Sequence, residues 1–280
     1  MEYISTPFGP FPKMGLGTFS IPQSQLPGIL SQAVQMGCTL FDTALLYRNE
    51  DLIGQSLQSF QRQSLCLQTK VNSQVLRGCR KYLRLDRISV SKAYRNACSR
   101  LRTPYLNAFL FHQPFRGYER QLQKAFALKA QGIFQLIGIC NITLPQLQSL
   151  HAATGLHPDI IQVEIHPYHS NQPLVRYCQQ HGIIVQARSP FAHGDAFEAW
   201  SQEPVLQELA ATHQATIPQL ILRWSAQQDI VVLPRTSNIH HLAENLQSFN
   251  LHLSPTEIDA INSLNQDRSF GVKTNQYNIQ

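Results

Sequence analysis

Eight polar or charged residues, Asp42, Lys70, His112, Asn141, Glu164, His166, Arg188 and Arg235, stand at or just past the ends of short apolar runs along the chain. Carboxylates, an ammonium, imidazoles and guanidiniums gathered in one place move protons and stabilise charge. Packing does not require an ionisable group at such an end, and deeper in a core it would be costly to bury unpaired. Other chemistries find no motif. There is no HExxH or similar metal spacing and no GxSxG for a nucleophilic serine, and the six cysteines, Cys38, Cys66, Cys79, Cys98, Cys140 and Cys178, lack CxxC spacing. The expectation is reduced thiols, no disulfide and no metal.

The elements that must carry these groups follow from periodicity. Short β-rich apolar runs alternate with longer amphipathic stretches, which is the pattern of βα units and a parallel sheet. Strands are predicted at Met14–Phe19, Thr39–Ala44, Leu65–Lys70, Asn107–His112, Leu136–Cys140, Ile160–Ile165, Ile183–Arg188 and Ile230–Pro234. Predicted helices between them include Gln25–Gln35, Ser91–Leu101, Arg120–Gln131, Leu144–Ala153, Leu174–His181 and Leu220–Gln227, with Ser254–Leu264 near the end. Eight units in 280 residues, without a linker or shift in composition, predict an α/β chain folded as one (β/α)8 TIM barrel domain over 1–280. An open doubly wound sheet would want a Gly-rich phosphate loop, and MGLGTF at 14–19 has two glycines without GxGxxG. A barrel binds its ligand at the carboxyl ends of its strands, where the eight polar groups stand.

Composition narrows the partners. At 43% hydrophobic residues the chain can bury a sizeable core. The net charge of +6 is met by cofactor phosphates or polyanionic metabolites as readily as by nucleic acid, and no nucleic-acid partner is expected. The first 13 residues do not read as a secretory leader, and no apolar run approaches bilayer length, so a cytoplasmic protein without a membrane partner is expected.

The segments MGLGT (14–18), FDTALLYRNEDLIG (41–54), TK (69–70), LFHQP (110–114), IGICN (137–141), QVEIHPY (162–168), SPF (189–191), PRTSN (234–238) and LAENL (242–246) stand in an informative order. From Met14 to about Leu264 the chain resembles the aldo-keto reductase family. The resemblance implies reduction of an aldehyde or ketone with NADPH on a barrel that is usually monomeric. It also implies a catalytic tetrad of Asp42, Tyr47, Lys70 and His112. Carbonyl reduction needs a hydride donor on one face and a proton donor within hydrogen-bonding reach of the oxygen. Tyr47 would be that donor. Its phenol would be lowered from about 10 toward working pH by Lys70, itself held by Asp42, while His112 orients the oxygen. Phe19, Tyr47, His112 and Gln113 are the expected substrate contacts. A histidine at 112, rather than a carboxylic residue, favours a carbonyl over a carbon–carbon double bond.

By the same resemblance Asn141 and Gln162 match contacts to the nicotinamide carboxamide, with Thr18 and Cys140 also assigned to the cofactor. Ser189 and Phe191 match the loop over the pyrophosphate, and Arg235, Thr236, Asn238, His241, Glu244 and Asn245 the adenosine end. A guanidinium fork at Arg235 beside Thr236 suits a 2′-phosphate and predicts NADPH over NADH. His241, where a second arginine is common, makes that preference moderate. Three positions depart from the family pattern: Cys140 for a serine, Gln113 for a tryptophan, and Arg188 for an aromatic residue on the nicotinamide. A stacked Arg188 would disfavour the cationic oxidised ring and bias the protein toward NADPH; the alternative is that it turns to a cofactor phosphate or a carboxylate.

Two other functional readings stay open: a cofactor-binding regulatory protein on the same barrel, and a biosynthetic alcohol dehydrogenase running in the oxidative direction. The basic stretch VLRGCRKYLRLDR at 75–87 sets Arg77, Arg80, Lys81 and Arg84 at helical spacing. A solvated helix face is the plainer reading and a patch for an anionic partner the sharper one.

Overall fold

A computed structural model describes residues 1–72 and 89–271, so the basic stretch at 75–87 and most of the polar tail lie outside the described residues. The chain opens with strands β1 (Tyr3–Thr6) and β2 (Gly9–Pro12), followed by β3 (Gly15–Gly17), α1 (Leu26–Gln35), β4 (Leu40–Asp42), α2 (Glu50–Leu57) and β5 (Cys66–Val71). Next come α3 (Val90–Arg100), β6 (Ala108–Phe111), α4 (Tyr118–Ala130), β7 (Leu136–Cys140), α5 (Leu144–Thr154), β8 (Ile160–Glu164), α6 (Gln172–Gln180) and β9 (Ile184–Arg188). The last part holds α7 (Phe197–Ser201), α8 (Pro204–Thr212), α9 (Ile217–Gln227), β10 (Ile230–Leu233), α10 (Ile239–Gln247) and α11 (Pro255–Asn262).

Strands β3 to β10 pair in parallel and in sequence order, and a parallel bridge from Met14 to Val232 joins the two ends. Backbone hydrogen bonds from Val232 to Lys13 and from Gly17 to Pro234 seal the same seam. This is the eight-stranded barrel with outer helices that periodicity predicted. The helices start where local chemistry lets them: Thr143 with Gln146, Thr216 with Gln219 and Ser254 with Glu257 form capping boxes at α5, α9 and α11, each followed by a proline in the first turn.

The barrel interior has two characters. Toward the amino-terminal end it is apolar, with Leu40, Cys66, Ala108, Leu136, Ile160 and Val231 packed together, and Leu110 and Leu233, level with Lys70 and Arg188, continue the cluster upward. Phe11 of the β1–β2 hairpin joins that cluster and stoppers the end. Toward the carboxyl ends the interior turns polar, with Asp42, Gln68, Lys70, Gln162 and Gln186 all buried. The larger apolar core lies between the strands and the outer helices.

Candidate active site

All eight polar residues read from the sequence lie at one end of the barrel. Asp42, Glu164 and Arg188 close β4, β8 and β9; Lys70 is the penultimate residue of β5; His112 and Asn141 follow β6 and β7 directly. Tyr47 reaches the same end on a turn of 3-10 helix at Leu45–Tyr47, which the left-handed Arg48 (φ 54°) terminates.

Lys70 is the hub. Its ammonium donates to both Asp42 oxygens at 2.6 Å, to the Thr43 carbonyl at 3.0 Å and to the Tyr47 hydroxyl at 3.4 Å. Burial by itself would discharge this lysine, but Asp42 outweighs it and holds the ammonium above the ordinary lysine value. Burial raises the Tyr47 phenol above its ordinary value, against the pull of Lys70, in place of the expected lowering toward working pH. The tyrosine keeps its proton. His112, whose ring meets the Tyr47 ring edge-on at 6.0 Å, is pushed down to about 3 by burial and by the Lys70 and Arg188 charges, and stays neutral. Its Nδ1 is buried without a partner. The exposed Phe19 ring lies 5.0 Å from Tyr47, and Leu46 is exposed beside it.

Arg188 does turn to a carboxylate. Its Nε donates to Asn141 Oδ1 at 2.8 Å and its guanidinium reaches Glu164 at 3.4 Å and Ser189 Oγ at 3.5 Å. Asn141, left-handed at φ 56°, donates its Nδ2 to the His112 carbonyl at 2.9 Å, so one amide ties Arg188 to the strand end that carries His112. Burial would raise the Glu164 carboxyl. Bonds from His166, Ser269 and the Phe270 amide, with the Arg188 charge, instead hold it well below the usual carboxylate range.

The remaining sequence-assigned residues divide into two groups. Thr18 is buried and donates to the Asp42 carbonyl at 3.0 Å, while Gln162 donates to Asp42 Oδ1 at 3.1 Å, so both buttress the tetrad from below. Cys140 offers its thiol to Gln162 Oε1 and is pushed up to about 12 by burial, which keeps it protonated. The second group lines the rim. Ser189, left-handed at φ 49°, hydrogen-bonds His193, and Phe191 packs on Phe197. Arg235 is exposed and donates to the Ser20 carbonyl at 3.4 Å. Thr236 and Asn238 build the turn into α10, with Asn238 Oδ1 capping the His240 amide; His241 and Glu244 are exposed on that helix and Asn245 is buried. Gln113 stands half-buried beside His112.

The sequence model of the aldo/keto reductase family matches residues 13–266 of the chain. An oxidoreductase of Bacillus subtilis, YtbE, is 30% identical, with 96% of this chain and 94% of that protein covered. The chain belongs to the aldo/keto reductase family. Membership carries the oxidoreductase class and use of a nicotinamide cofactor. The methylglyoxal reductase DkgA of Salmonella typhimurium is 27% identical over 95% of this chain and 94% of its own. Among solved structures, Gox0644 without ligand superimposes with a TM-score of 0.82 at 27% identity, covering 94% of this chain and 93% of that one. A mutant form of Gox0644 in complex with NADPH gives 0.79 at 26% identity over the same shares.

In this aldo-keto reductase several residues that the sequence reading passed over support the tetrad. Gln68 Nε2 donates to Asp42 Oδ1 at 2.6 Å and to Gln186 Oε1 at 2.8 Å, and Gln186 Nε2 returns a bond to Gln68 Oε1 at 2.8 Å. Gln162 joins them through Gln186 Oε1 at 3.0 Å. The signal was present: Gln68, Gln162 and Gln186 each precede a strand-end polar residue by two, and period two puts both on one strand face. Asn49 is a further support, joining the Thr43 hydroxyl to the Thr18 carbonyl. Ser269 to Gly271 lie on Glu164, a contact that no local pattern announces. Among the described residues no helix is long and apolar enough to cross a membrane, and no cluster of side chains has the makings of a metal site.

Proposed function

We propose that this protein reduces an aldehyde or ketone to the alcohol with NADPH, with Tyr47 giving the proton to the carbonyl oxygen. One observation carries the reading: the buried Lys70 ammonium stands between the Asp42 carboxylate and the Tyr47 hydroxyl, beside a neutral His112. Tyr47 enters the reaction protonated. As charge develops on the carbonyl oxygen, the ammonium beside the phenol stabilises the tyrosinate left behind. His112, being neutral, donates a hydrogen bond to that oxygen without carrying a competing proton.

The residues present fit the cofactor. NADPH, when bound, supplies the hydride. Asn141, already oriented by Arg188 and the His112 carbonyl, holds the carboxamide, with Thr18, Cys140 and Gln162 behind it. Ser189 and Phe191 border the pyrophosphate. The amino end of α10, with Thr236 and Asn238 in its turn and Arg235, His241, Glu244 and Asn245 around it, takes the adenosine and its 2′-phosphate. Phe19 and Gln113 face the substrate. Relatives named as a methylglyoxal reductase and a morphine 6-dehydrogenase support a carbonyl–alcohol couple. The raised Tyr47 phenol favours the reductive direction, because oxidation needs its tyrosinate at the outset.

The test is NADPH consumption with a panel of aldehydes, ketones and keto acids, and Tyr47→Phe as control. Activity is expected to fall at least about a hundredfold in the variant, the usual share of a general acid. In the wild type, kcat/KM for reduction should hold through neutral pH and decline only above the ordinary phenol value of about 10, since a raised pKa keeps the donor protonated below it. Activity surviving in Tyr47→Phe would overturn the mechanism.

A further inference from the structure

The polar layer beneath the tetrad breaks a rule of barrel interiors, which are normally filled by branched aliphatic side chains. Here β5, β8 and β9 each send a glutamine inward, and all three are 0–1% exposed. Strands β5 and β9 stand four places apart in a ring of eight, so the Gln68–Gln186 pair spans the barrel from wall to wall. A half-satisfied network of this kind would be worse than an apolar core, and this one is closely satisfied.

Its orientation is fixed by its own bonds. Gln68 Nε2 uses one hydrogen on Asp42 and the other on Gln186. Turning the Gln68 amide over would set its oxygen against the Asp42 carboxylate and break both bonds with Gln186. Gln186 makes no bond to the tetrad itself; it holds Gln68 reciprocally and accepts from Gln162, which also donates to Asp42. Asp42 Oδ1 therefore receives Lys70, Gln68 and Gln162, while Oδ2 receives Lys70 alone of these three.

We propose that Gln68 and Gln186 are positioning residues for the proton donor: as a cross-barrel amide pair they hold the Asp42 carboxylate and absorb part of its charge, leaving more of the Lys70 charge to act on Tyr47. This deepens the proposed reduction and rests on it. The charged and titratable groups facing Tyr47 are Lys70 from β5, Asp42 from β4, Cys140 from β7 and, at ring contact, His112 after β6. Of these Lys70 favours the tyrosinate, whereas Asp42 opposes it. Amide donors on Asp42 weaken the opposing member of the pair.

The test uses the full chain with Gln68→Met and Gln186→Met together, because methionine preserves length and removing both partners of a buried pair costs far less than orphaning one. Three quantities are read: NADPH affinity by fluorescence titration, the kcat and KM split for the best carbonyl substrate, and the alkaline limb of the reductive pH profile. The expected result is a kcat about tenfold lower near neutrality, matching a donor weaker by about one pH unit, with the alkaline limb moved upward. KM and NADPH affinity should stay within about twofold. Gln186→Met alone, which leaves Gln68 on Asp42, should move both readouts in the same direction by less, and it decides the matter if the double variant does not fold. Unmoved kcat and pH limb in whichever variant folds would overturn the proposal and leave the amides as barrel filling, whatever the melting temperature does. Tyr47→Phe is run alongside, so that loss of the reductive reading itself, with activity persisting in that variant, is told apart from loss of this inference.

Discussion

The guanidinium of Arg188 is held by partners that act on different properties. Its bond to Asn141 fixes an amide at the proposed carboxamide site, while Glu164 offsets its charge. A free stacked arginine would discriminate against the oxidised, cationic nicotinamide; one paired to a carboxylate has much of that field cancelled. For Arg188→Tyr we therefore expect fluorescence titration to show weaker binding of NADPH and NADP+ alike, by about tenfold, the value of one orienting hydrogen bond. The ratio between the two should change by less than about threefold. A tenfold gain in relative NADP+ affinity would restore the charge-bias reading and refute this one. Tyr47 teaches the same lesson with a different sign: Lys70 pulls its phenol down as residue chemistry predicts, and burial overrides it.

Helix α2 meets the carboxyl end of α3 at Gly54. A Cβ there would lie 2.5 Å from the Leu101 carbonyl carbon and 2.6 Å from the Arg100 oxygen, both backbone atoms that cannot step aside. In an ordinary helix interior Gly→Ala gains about 0.5–1 kcal/mol, while forcing two packed elements apart costs about 1–3 kcal/mol. Gly54→Ala is expected to lose about 1–2 kcal/mol in chemical denaturation, and any gain in stability would contradict the packing. Residues Glu50–Leu57 are absent from the predicted helices, and an internal glycine weakens a helical pattern. The barrel strands were legible because a continuous apolar run bounded by polar residues marks a strand buried on both faces. β7 falls on its predicted limits, and the others begin or end within two residues of theirs. The β1–β2 hairpin escaped notice because β2, GPFP, carries two prolines, which fit only an edge strand.

At the scale of the whole molecule, residues 269–271 lie on Glu164, far back in the sequence. Ser269 Oγ and the backbone amides of Phe270 and Gly271 all donate to that buried carboxylate. Gly271 has no room for a side chain, since a Cβ would meet Glu164 Oε2 and the Arg188 guanidinium. Ending the chain at Arg268 should leave Glu164 under-satisfied beside Arg188. Hydrogen bonds to charged groups contribute about 1.5–3 kcal/mol each, so a loss of at least about 2 kcal/mol, read as a lower melting temperature, is expected together with weaker NADPH binding. A melting temperature equal to that of the full chain would show that the contact is idle.

The amino-acid sequence by itself determined the barrel, and its resemblance to the family singled out Asp42, Tyr47, Lys70 and His112, which the structure brings together at one end of that barrel. Strand period and strand ends are local properties, and the polar residues that follow each strand need no knowledge of their neighbours in space. Only the tertiary structure decided which partner Arg188 takes, that Tyr47 holds its proton more tightly than a free phenol, and that Gln68 meets Gln186 from across the barrel. Those outcomes depend on burial and on contacts between residues more than a hundred positions apart in the last case. Desolvation and long-range pairing exist only once the sheet has closed.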